Sequence, residues 1–154
     1  MAKIEWAQVC ELAFVDKYDR LCMIGVTTKL AVPSLPLLVR RLMIAARIAD
    51  AQDGETFTVG GHITTPGGNV ITPNQTDCFD VSIEGEYLLI TLSDFPLSEE
   101  GIYGFEVSVG DQAPVRLEIL ARLVPKRAGM EIPKCDSSVT SFEPVARPSG
   151  RDVN

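Results

Sequence analysis

Leu97-Ser98-Glu99-Glu100-Gly101-Ile102-Tyr103-Gly104-Phe105-Glu106-Val107-Ser108-Val109 passes from a polar corner into an alternating run. Tyr103, Phe105, Val107 and Val109 fall on one side; Gly104, Glu106 and Ser108 fall on the other. Period two marks a half-buried strand, with one face dry and the other wet. Gly101 supplies the backbone freedom for the turn that leads into it.

The texture continues in both directions. Downstream, Gly110-Asp111-Gln112 turns the chain, and Val115, Leu117, Ile119, Ala121 and Leu123 alternate with Arg116, Glu118 and Arg122. Upstream, Tyr87 to Leu92 reads as a strand with Leu88, Ile90 and Leu92 toward the core. Before it, Cys78, Phe79, Val81 and Ile83 form another strand, closed by Glu84-Gly85. Phe57, Val59, Gly61 and Ile63 alternate with Thr58, Gly60 and His62; Thr65-Pro66-Gly67-Gly68-Asn69 then reverses the chain into a return strand at Val70 and Ile71. At the front, Ile4 to Val15 is expected as one strand and Leu21 to Val32 as a second, joined by the corner Asp16 to Arg20. Pro33 and Pro36, which lack a ladder donor, end that pattern.

Leu37 to Ala51 supports two readings. Leu, Arg, Met and Ala are good helix formers, and Leu38, Leu42, Ala45 and Ala49 would line one helical face. Leu42, Ile44, Ala46 and Ile48 also alternate with Met43, Ala45 and Arg47 as a strand does. The strands on either side favour a strand over Arg41 to Asp50, preceded by an irregular turn.

Short strands and turn signals about every ten residues indicate an all-β fold, an antiparallel immunoglobulin-like β-sandwich over residues 1–125. The tyrosine corner of such sandwiches places a Tyr at the start of a strand just after a corner, and Tyr103 holds that position. Its ring is expected in the core, with its hydroxyl on upstream backbone. Residues 126–154 form an irregular Pro-rich C-terminal tail, with Met130, Ile132, Val139 and Phe142 as anchors onto the sandwich or a neighbouring subunit.

Leu21-Cys22-Met23-Ile24-Gly25-Val26, Val32-Pro33-Ser34-Leu35-Pro36, Leu42-Met43-Ile44-Ala45-Ala46-Arg47 and Leu97 through Val109 together resemble a family of small uncharacterised bacterial immunoglobulin-like β-sandwich proteins of unknown function. The resemblance spans most of residues 4 to 123. It implies a strand at Leu42 to Ile48 and carries over no catalytic residues.

Composition narrows the partners. With 21 acidic against 14 basic side chains, the net charge of −7 repels phosphate backbones and anionic lipid surfaces, so neither nucleic acid nor membrane is an expected partner. Met1 to Trp6 lacks the pattern of an export signal, and Arg40, Arg41 and Arg47 interrupt the longest apolar run. A cytoplasmic location is expected, with Cys10, Cys22, Cys78 and Cys135 reduced.

No side-chain set nominates a reaction, and no catalytic, metal or cofactor residues are assigned. His62, the one histidine, has no Ser or Cys motif beside it and reads as a strand residue on a polar face. Asp50, Asp53 and Glu55 lack the spacing of a calcium loop. Gly60-Gly61 and Gly67-Gly68 precede no helix, so hairpin geometry accounts for them better than a phosphate cradle. Asn74-Gln75-Thr76 matches a glycosylation acceptor, relevant only to an exported chain. Asp94, Glu99 and Glu100 read as a solvated corner. The expected function is a non-enzymatic protein-interaction module. The alternative is a structural or assembly protein forming homo-oligomers through sheet edges and the tail, which the positive mean hydropathy of +0.13 favours. An enzyme ranks third.

Overall fold

The computed structural model describes residues 1–52, 54–72 and 79–125. It is all-β: β1 (Lys3–Cys10), β2 (Leu12–Val15), β3 (Leu21–Ile24), β4 (Lys29–Val32), β5 (Leu37–Ala49), β6 (Val59–Thr64), β7 (Val70–Ile71), β8 (Phe79–Glu84), β9 (Tyr87–Leu97), β10 (Gly101–Val109) and β11 (Val115–Leu123). No helix occurs among the described residues, so none is long and apolar enough to cross a membrane.

β1-β5-β9-β8 form one sheet, β4-β11-β10-β6-β7 a second, and β2-β3 a two-stranded ribbon. The two larger sheets share one core. Leu42, Ile44, Leu88 and Leu92 from the first meet Tyr103, Phe105 and Ile119 from the second, all at most 3% exposed. Phe95 packs edge-on against Tyr103, with ring centroids 5.8 Å apart.

β5 is a strand, as its neighbours suggest, but it begins at Leu37 rather than Arg41. Where an irregular turn is expected, Leu37, Leu38 and Val39 already pair with Leu97, Pro96 and Phe95. The ambiguity of this stretch has a physical origin. Leu42, Ile44, Ala46 and Ile48 face the main core, while Met43 and Ala45 are buried on the opposite face with Cys10, Ala13 and Leu89. The β2-β3 ribbon lies over that outer face through Leu12, Leu21 and Met23. A strand dry on both sides loses its polar alternation and reads like an apolar helix.

Each of the two front strands divides. Ile4 to Val15 breaks at Glu11, and Leu21 to Val32 breaks between Ile24 and Lys29. Gly25 has φ +67°, and a Cβ there would lie 2.8 Å from Glu11 Cγ. The chain therefore folds tightly around Glu11, whose N–H donates to the Ile24 carbonyl at 3.0 Å. Beyond the break the chain crosses between sheets. Thr27 N–H donates to the Val9 carbonyl in the first, and the Thr28 carbonyl accepts from Leu120 N–H in the second. β4 then pairs with β11 in parallel, so the second sheet is mixed rather than wholly antiparallel. No turn joins these two strands, so nothing local imposes an antiparallel direction.

The corner before β10 closes as the sequence implies. Tyr103 is 1% exposed. Its hydroxyl accepts from Ser98 N–H at 3.1 Å and Glu99 N–H at 3.3 Å, and donates to the Glu99 carbonyl at 3.1 Å.

Candidate functional site

The polar residues singled out from the sequence are spread across the molecule, and those with described partners serve the fold. His62 lies on the outer face of β6, opposite Glu106 of β10, with Nε2 3.5 Å from the carboxylate. Asp50 pairs with Lys3 at 2.6 Å, which holds its carboxyl below the usual range. Glu55 accepts from Gln52 N–H at 2.9 Å and Ala2 N–H at 3.3 Å, lowering its pKa likewise. Glu99 accepts from Gly67 N–H at 2.9 Å, bracing the β6-β7 turn, and Glu100 accepts from Leu123 N–H. Asp94 takes a left-handed backbone, φ 50°. Cys10 is buried, which pushes its thiol pKa up; neither Cys10 nor Cys22 is in a disulfide. Asp53, Asn74-Gln75-Thr76, Cys78, Cys135 and the tail 126–154 lie outside the described residues.

Gly67 and Gly68 sit in the β6-β7 turn, Gly68 at φ +85°. Gly60 and Gly61 need a different account from hairpin geometry, because both lie inside β6. A Cβ on Gly61 would stand 2.8 Å from the Glu106 carbonyl oxygen, so the glycine permits β6 to close onto β10.

The surface openings follow the same division. One of about 670 Å³ is lined by Glu5, Arg47, Asp50, Glu55 and Glu86. Arg47 already binds Glu5 at 2.8 Å and Glu86 at 2.9 Å across it. A groove of about 520 Å³ beside Leu12, Ile24, Leu30 and Val39 carries Arg40 and Arg41. It lies where β1 stops pairing at Met43 and leaves the first half of β5 without a strand on that side.

The feature that the fold leaves half used is β8, whose Phe79 packs on the main core while Val81 and Ile83 stay exposed. Phe79-Asp80-Val81-Ser82-Ile83-Glu84 alternates cleanly, and among the described residues it pairs only with β9, at the end of its sheet. Phe79, Val81 and Ile83 stand opposite Leu92, Ile90 and Leu88. Cross-strand partners share a face, so all six residues point toward the core side. Yet Leu92, Ile90 and Leu88 are 0–5% exposed, whereas Val81 is 45% and Ile83 48% exposed. The described strands of the second sheet do not cover them. Its last described strand, β7, pairs only with Ile63 and Thr64, leaving Val59 to His62 of β6 without a neighbour on that side among the described residues. Between Val59, Gly60 and Ile63 on one sheet and Phe79, Val81 and Ile90 on the other lies a cavity of about 40 Å³, far smaller than a substrate pocket.

Natural edge strands are usually guarded by lysine, proline, a bulge or a covering element. β8 contains no lysine or proline, and its register with β9 is unbroken from Phe79 to Glu84. Its polar face carries Asp80, Ser82 and Glu84, all exposed. Neither carboxylate forms an ion pair among the described residues. The sequence displays the alternation of β8; its edge position depends on how the other strands are ordered.

Comparison with curated proteins returns no match. The model of a family of unknown function, DUF6941, matches residues 5–122, more than half of the chain and nearly every described strand. The chain belongs to this family.

Proposed function

We propose that this chain is an immunoglobulin-like sandwich acting as a non-enzymatic protein-interaction module, and that it takes its partner along the open edge of β8. Strand order supports the fold assignment. In chain order, β1, β5, β6, β8, β9, β10 and β11 correspond to strands A to G of an immunoglobulin domain. The orders β1-β5-β9-β8 and β11-β10-β6 then match its ABED and GFC sheets. β7 matches the added C′ strand, while β4 and the β2-β3 ribbon are insertions between A and B. Tyr103 lies at the E–F corner, two residues before Phe105, where the second cysteine of antibody domains would stand.

The observation that carries the functional reading is the half-exposed apolar face of β8 beside a backbone edge that no described strand pairs with. Completing the burial of Val81 and Ile83 is worth about 1 kcal/mol each. About three N–H and three C=O groups of a strand this length point outward and lack a ladder partner among the described residues. Strand addition satisfies both needs at once. Asp50, Glu55, Glu99 and Glu100, weighed as catalytic candidates, are engaged by backbone N–H groups or by Lys3, which favours a binding role over an enzymatic one.

Photo-activatable residues placed singly at Ser82 and, as a control, at Asp111 test the reading in the native host. The expected result is a discrete adduct from Ser82, none from Asp111, and loss of the Ser82 adduct on adding Val81→Lys and Ile83→Lys. No adduct from Ser82, or one indifferent to both lysines, refutes the edge as the binding surface.

A further inference from the structure

We propose that the occupant of the β8 edge is an extended peptide segment of another protein in which apolar and basic residues alternate, docked as a fifth strand on the four-stranded sheet. The inference rests on the reading of β8 as the binding edge and adds the chemistry of what binds there.

A strand added to an edge continues the pleat, so its side chains fall alternately on the two faces of the receiving sheet. On the core side they meet Phe79, Val81 and Ile83, which calls for apolar residues. On the other side they lie beside Asp80, Ser82 and Glu84, close enough for directly opposed like charges to repel and opposite charges to attract. Two exposed carboxylates without an ion pair among the described residues favour lysine or arginine there.

The same pair disfavours one way of joining a second copy of β8. Two antiparallel registers keep apolar face with apolar face, each pairing five of the six strand residues. One sets Asp80 against Glu84 of the other copy; the other sets Asp80 against Ser82. The net charge of −7 adds long-range repulsion between copies and attraction for a basic segment.

The full-length protein, isotope-labelled for amide NMR, is titrated with acetyl-Lys-Val-Arg-Ile-Lys-Val-Arg-amide and with the same peptide carrying Glu at every basic position. The basic peptide is expected to shift amides of residues 79–84, to bind roughly tenfold more tightly than the acidic one, and to weaken as salt rises. The double variant Asp80→Lys, Glu84→Lys, altered only at exposed positions, should reverse the preference; the two-peptide comparison on unaltered protein stands without it. Absence of shifts in β8, equal affinity for the two peptides, or an unreversed preference in a folded variant overturns the proposal. So does sedimentation showing a dimer that Val81→Lys dissolves. A Ser82 adduct in the host alongside failure of the peptide comparison defeats the peptide chemistry alone, whereas absence of the adduct defeats the edge reading itself.

Discussion

Replacing Tyr103 by Phe deletes one oxygen and leaves the ring. That oxygen accepts from Ser98 and Glu99 N–H and donates to the Glu99 carbonyl, at 3.1 to 3.3 Å. At about 1 kcal/mol net per bond the upper figure is about 3 kcal/mol. Ser98 is exposed, so water replaces part of what its N–H loses, and the expected cost is about 2 kcal/mol. Trp6, the one tryptophan, sits half-buried in β1 and reports global unfolding by fluorescence. In urea the midpoint should fall by about 1 to 2 M with an unchanged slope. Ser98 and Glu99 amides should also exchange faster than their neighbours. Tyr103→Leu should cost more, because it also removes the edge-on contact with Phe95. A Phe variant whose midpoint lies within about 0.2 M of the parent would show that the phenol does not hold this corner.

Gly61→Ala should destabilise by about 2 kcal/mol, since its Cβ meets backbone at 2.8 Å. Gly60→Ala should cost clearly less, because the atom it meets is the Ser108 hydroxyl, which can rotate away; equal urea midpoints for the two would contradict this packing. Ala45→Leu, inserted where no space remains under the β2-β3 ribbon, should speed trypsin cleavage at Lys17 and Arg20 while β5 stays paired. Cleavage at the parental rate would mean that the ribbon is not seated on Ala45. Asp16, Asp50, Glu55 and Glu86 have lowered pKa values, through Arg20, through Lys3, through the Gln52 and Ala2 N–H groups, and through Arg47. The folded chain thus binds these protons less readily than the unfolded one. Their stabilisation is complete above the ordinary carboxylate range and is lost as pH falls through and below it. The melting temperature should drop over that window, and by less in Arg47→Gln; identical profiles would remove Arg47 from the account.

Where one face of a strand is dry and the other wet, the sequence reads directly. Tyr103, Phe105, Val107 and Val109 are all at most 2% exposed, as their spacing implies. β5 is harder to read because the ribbon dries its second face, an effect set by residues 12 to 23 rather than by β5 itself. The break at Glu11 leaves no mark in Ile4 to Val15. Its sign is Gly25, fourteen positions later, which is glycine because Glu11 fills the space its side chain would need. The parallel pairing of β4 with β11 is a long-range choice that no turn records. The candidate site shares that character. Phe79 to Glu84 shows its alternation plainly, but whether Val81 is covered or bare depends on the strands packed opposite it, not on β8 itself.

The parallel contact also bears on how the chain is made. Lys29 to Val32 find their ladder partners only at Leu120 to Leu123. On a ribosome that emits the amino terminus first, the first sheet can assemble once β9 has cleared the exit tunnel. β4 must wait, unpaired, until Leu120 to Leu123 appear. Closure of the second sheet therefore waits for β11, and a chain stalled before it would present an unsealed flank to the cell's quality control.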